Sequence, residues 1–255
     1  ERQAVFKTGV IAAWTGIALL LLQWPLQAGY LGGGNIDSAL DPILLGIVFE
    51  GSPGTRLTMA LGGLILVQAI VPLNRPLPGL GYGISLVGVV LVALAFVQVG
   101  HTTGEPRVLM SSLLVAHLLA AAFWVGSLWP LYRLTRLPAG PSEATAILAR
   151  FGRIAALAVG VLLLSGLILT VLLLEGLGSL FMTSYGQFLL AKIMIVAGLL
   201  ALAAGNKWRL APAFERGDTL ASERLRRSIA LEIGLVVAIV VATGTLTTLS
   251  SPAGG

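Results

Sequence analysis

Seven apolar runs, each close to the length that crosses a bilayer, follow one another along this chain and constrain its fold more than any other feature. They occupy residues 9–27, 57–73, 79–100, 108–132, 154–174, 185–206 and 229–250. A hydrocarbon core of about 30 Å takes roughly 20 helical residues at 1.5 Å each. The pattern therefore predicts an all-α integral membrane protein, a single transmembrane domain over residues 1–255 with about seven transmembrane helices. Composition agrees. Of 255 residues, 56% are hydrophobic and 11% charged, whereas soluble domains carry about 25% charged residues. The 32 glycines suit close helix approach in lipid.

The net charge of +5 does not point to nucleic acid, because the basic residues sit in short linkers between apolar runs rather than along a groove. Thirteen fall on one side: Arg2, Lys7, Arg75, Arg133, Arg136, Arg150, Arg153, Lys207, Arg209, Arg216, Arg224, Arg226 and Arg227. Arg56 and Arg107 fall on the other, and Lys192 lies inside the sixth run. The excess of Lys and Arg marks the first side as cytoplasmic, so residue 1 is expected inside and residue 255 outside. The outer loops carry Asp37, Asp41, Glu50, Glu105 and Glu175, an acidic face that attracts cations. The longest of them, 28–54, reads as a surface lid or interfacial helix rather than a span.

A weak internal repeat pairs the first, second and third runs with the fifth, sixth and seventh, leaving the fourth (108–132) unmatched. The two sets start on the same side, as parallel repeats do. An eighth helix before residue 1 would complete the symmetry, so the seven are expected to be seven of a native eight.

The residues able to do chemistry are few. The absence of cysteine excludes disulfides and thiolate metal sites, and with them iron–sulfur clusters. There is no phosphate-binding loop, nucleophile elbow or zincin motif, so enzymes of those kinds are not expected, and any transport would draw on a gradient, the membrane potential or hand-off from a partner. Both histidines, His101 and His117, flank one outer loop. His117 lies ten residues past Arg107, about 15 Å deeper at helical rise. Met110 precedes it by seven residues, two turns that place both on one helix face. His101, Met110 and His117 form a series of imidazole and thioether groups suited to transition metals, the thioether favouring Cu(I). Glu105 stands at its mouth. Single methionines and histidines in helices are more often packing or structural residues, but intramembrane ionisable groups default to function. Lys192 and Glu232 lie inside the sixth and seventh runs, where a bare charge costs roughly 2.5–3.5 kcal/mol when central. They are expected to face the bundle interior in gating or structural roles. A haem held by both histidines is awkward at their offset depths.

The motif Gly100-His101, followed by His117-Leu118-Leu119-Ala120-Ala121-Ala122-Phe123-Trp124-Val125-Gly126-Ser127-Leu128, resembles the bacterial copper resistance protein D family. Arg150-Phe151, Thr183-Ser184-Tyr185-Gly186, Leu189-Leu190-Ala191-Lys192, Leu225-Arg226-Arg227-Ser228 with Glu232, and the terminal Ser251-Pro252-Ala253 extend the resemblance in order. The resemblance implies a multi-pass protein of the bacterial inner membrane, commonly of eight helices, that moves copper between periplasm and cytoplasm. It also implies, as partner, a small periplasmic copper-binding protein of the copper resistance C type. Two other readings stand beside it: a membrane redox protein carrying b-type haem or quinone-linked copper, and an assembly scaffold for a metalloenzyme.

Overall fold

The computed structural model describes residues 2–73, 76–100, 106–136, 143–173, 178–182 and 184–249, and every regular element among them is helical. Six of the described helical stretches are long and apolar enough to cross a membrane: Phe6–Leu31, Ser52–Leu73, Pro78–Gln98, Arg107–Leu134, Ala146–Leu173 and Gly186–Glu215. They coincide with the first six expected runs. The seventh run falls on a helix of 31 residues, Thr219–Leu249, most of whose side chains beyond Val241 lie outside the described residues. About six spans are therefore shown where seven were expected.

The chain divides into two compact units, Glu1–Leu119 and Ala120–Gly255. In the first, α1 (Arg2–Leu31) is followed by two short helices, α2 (Ile36–Ala39) and α3 (Pro42–Glu50), which form the segment expected to be a lid. Each starts on a side-chain cap. Asn35 Oδ1 accepts from the Ser38 amide at 2.7 Å and Asp41 Oδ1 from the Ile43 amide at 2.8 Å, satisfying N–H groups that have no partner within a helix. Trp24 Nε1 of α1 donates to the Leu45 carbonyl at 3.1 Å, and its ring sits 5.7 Å from that of Phe49. The segment is thus tethered to α1 by one hydrogen bond and one aromatic contact.

Next come α4 (Ser52–Val67), α5 (Ile70–Leu73) and α6 (Pro78–Ala95), the last extended by a 3-10 turn over Phe96–Gln98. The break between α4 and α5 follows from Pro72, whose ring disfavours an α-helical carbonyl four residues back. The Val71 amide turns to Gln68 O at 3.0 Å. The Val67 carbonyl, left without that α-helical donor, accepts instead from Ser85 Oγ of α6 at 2.8 Å. Glycines bring α4 and α6 together: a Cβ on Gly63 would lie 2.7 Å from the Gly88 carbonyl oxygen.

The boundary between the units falls within α7 (Arg107–Leu134). The second unit continues with α8 (Glu143–Leu173), α9 (Ser179–Met182), α10 (Ser184–Gly205), a π turn over Asn206–Leu210, α11 (Ala211–Glu215) and α12 (Thr219–Leu249). Its core is centred on Phe214 and Leu225, both fully buried, with Trp124, Leu128, Leu199 and Ile229 around them. Asp218 Oδ1 caps α12 by accepting from the Leu220 and Ala221 amides at 2.9 and 3.3 Å. At 31 residues, α8 and α12 each run about 46 Å, longer than a bilayer core. The surplus carries Arg150 and Arg153 on α8 and Glu223, Arg224, Arg226 and Arg227 on α12. Elsewhere α8 leaves Leu157, Leu167 and Val171 more than 60% exposed, a surface suited to lipid and not to water.

Candidate functional site

Of the expected outer-loop residues, His101 and Glu105 lie outside the described residues. Met110 and His117 both stand on α7, Met110 buried at 3% exposure and His117 half-buried. The Met110 amide donates to Pro106 O at 3.0 Å, so the thioether is held in the first turn of a regular helix. Seven residues separate the two side chains by roughly 10 Å along the axis on one face. Side chains that far apart along one helix cannot both ligate a single ion. Among the described residues no group of three or more His, Asp or Glu side chains is gathered to hold a metal.

The acidic outer set is divided by the fold. Asp41 is engaged in capping α3, while Asp37 and Glu50 are exposed. Arg56 lies not in a loop but in the opening turns of α4, with its guanidinium 5.1 Å over the Phe96 ring. With Gln23 and Gln27 of α1 it lines a small cleft beside Trp24. This stacking shields part of a guanidinium that enters a membrane-length helix.

Lys192 and Glu232 do not pair. Lys192 is half-buried on α10, fourteen residues before Asn206, about 21 Å along the helix. Glu232 is 97% buried, and its Oε1 accepts from Asn206 Nδ2 at 2.5 Å. Asn206 opens the π turn at the end of α10, a local widening that recurs at functional sites. Ser228, one turn before Glu232 on α12, is also buried. The sequence reading missed Asn206 and named Ser228 only within a motif. Depth was the available signal: Asn206 closes the sixth apolar run and Glu232 follows the start of the seventh, so antiparallel neighbours bring both to one end of the bundle.

Six membrane-length apolar helices, with charges gathered at their ends, define a multi-pass integral membrane protein. Residues 145–246 match the family described as Copper resistance protein D. The chain is 29% identical over 262 residues to the Copper transport protein CutJ of Bacillus subtilis, covering 99% of this chain and 47% of that protein. It is 29% identical to the Inner membrane protein YebZ of Escherichia coli, covering 90% of this chain and 80% of the relative. It is 27% identical to the Copper resistance protein D of Pseudomonas syringae pv. tomato, covering 93% and 81%. The chain thus spans about half the length of the first of these relatives. No solved structure matches it. The similarity to copper resistance protein D thus covers residues 145–246 by family model and most of the chain by pairwise comparison, in line with the motifs.

Proposed function

We propose that this protein moves copper across the bacterial inner membrane, passing the ion from an acidic outer face through His101, Met110 and His117 toward mid-membrane, with Glu105 at the mouth. The observation that carries this reading is the placement of Met110 and His117, two turns apart on α7, within a membrane-length helix of a chain related to copper-handling proteins. A thioether and an imidazole are the ligands that copper prefers over the alkali and alkaline-earth ions. The proposal places the amino-terminal end in the cytoplasm and the carboxy-terminal end in the periplasm, with 229–250 as a seventh span. A periplasmic copper-binding protein of the copper resistance C type is the proposed donor or acceptor at the outer face. Lys192 and Glu232 act in gating or structural support.

The deciding experiment is metal analysis of the purified protein in lipid, wild type beside His101→Ala and His117→Ala. Stoichiometric copper in the wild type and its loss in either variant is the expected outcome. Copper content unchanged in both variants refutes the site, and a haem absorption band in the wild type refutes copper as the only metal handled.

A further inference from the structure

The π turn brings together a buried carboxyl and an amide whose second polar atom has no use in the arrangement seen. Asn206 Nδ2 donates to Glu232 Oε1. Asn206 Oδ1 is buried and has no hydrogen-bond partner among the described residues. Orphaned buried acceptors are rare, and each calls for a reason. No basic side chain pairs with Glu232 among the described residues. A carboxylate this deeply buried, held by one neutral donor, is expensive.

We propose that Asn206 and Glu232 form a proton-binding site at this end of the second unit. The chemistry is reciprocal. An ionised Glu232 is an acceptor only and takes the Asn206 N–H; a protonated Glu232 gains an O–H donor and needs an acceptor. The Asn206 carbonyl oxygen is that acceptor once the amide turns over. One pair therefore gives the Glu232 carboxyl a partner in both protonation states, the amide offering N–H to the carboxylate or its oxygen to the acid, while the amide atom turned away stays without a partner among the described residues. A proton taken from the adjacent aqueous side neutralises the carboxylate, and its release restores the hydrogen bond now seen.

The charged groups on the elements packed against the pair leave it to itself. Lys207 and Arg209 of the π turn are exposed, as are Arg150 and Arg153 of α8, the helix that packs on α11. On α12, Glu223, Arg224 and Arg227 are exposed and Glu223 pairs with Arg227, while Arg226 is half-buried. Glu215 of α11 is half-buried, nine residues past Asn206, and Lys192 of α10 is fourteen residues before it.

This inference goes beyond the copper reading and does not depend on it. The test is the infrared difference spectrum of the copper-free full chain in lipid, between alkaline and acid solution. A carboxylic-acid C=O band lost in Glu232→Gln and shifted in Asn206→Leu is the expected result, with Glu232→Asp shifting the band should Glu232→Gln not fold. A spectrum unchanged by Glu232→Gln or by Asn206→Leu overturns the site. So does a band whose midpoint follows sodium concentration at constant pH, which would make the ligand an alkali cation. Failure here leaves the copper test untouched, and failure of copper binding leaves this band in place.

Discussion

Gly63 and Gly88 meet backbone to backbone across α4 and α6: a Cβ on Gly88 would lie 2.5 Å from the Gly63 carbonyl oxygen. In lipid there is no hydrophobic force to drive helices together, and close backbone approach between small residues takes its place. The contact also aligns the two helices so that Ser85 reaches the Val67 carbonyl released by Pro72. Gly63→Ala or Gly88→Ala should each lower stability by about 1–3 kcal/mol through overpacking against rigid backbone. Gly62→Ala is the control, since its Cβ would meet only Leu91 Cδ2 at an ordinary 3.7 Å. Thermal unfolding in detergent, with equal losses in all three variants, would refute the contact.

The Asn206–Glu232 pair makes a second prediction. Removing one member strands the other, at about 1–3 kcal/mol and more where the stranded group is charged. Asn206→Leu should therefore destabilise the protein more than Glu232→Gln, whose amide keeps a donor and an acceptor. Asn206→Leu with Glu232→Leu together should cost well under the sum of the two single leucine losses. Additive losses in a double-mutant cycle would show that the two side chains are not coupled.

Met110 is buried without a polar task, which allows a sharp separation of packing from ligation. Met110→Leu conserves volume and should change stability by less than about 1.5 kcal/mol. If the thioether is a station for Cu(I), the same substitution should weaken Cu(I) binding at least tenfold in a competition titration with a chelator. Wild-type affinity in Met110→Leu would confine the relay to the histidines.

The proposed orientation is open to direct labelling, because a chain with no cysteine accepts single-cysteine probes without background. Asp37 and Arg136 are both exposed. In intact cells a membrane-impermeant maleimide should label Asp37→Cys and spare Arg136→Cys until the membrane is opened. The reverse pattern would invert the topology.

The sequence alone determined the helical class, the first six spans to within a few residues at most ends, and the resemblance to copper resistance protein D. These depend on local hydropathy and short motifs, which act over one run at a time. It also placed Met110 and His117 on one face, since helical spacing needs no tertiary information. It left Glu232 without its partner, because no pattern within one run marks an amide on a neighbouring helix. Only the tertiary structure decided that a neutral amide 26 residues away closes on that carboxylate, and that a glycine pair sets the distance between α4 and α6. Hydrogen bonding and van der Waals contact are short-ranged, so which groups meet depends on how neighbouring helices rotate and lean. That information lies in their packing and not in any one apolar run.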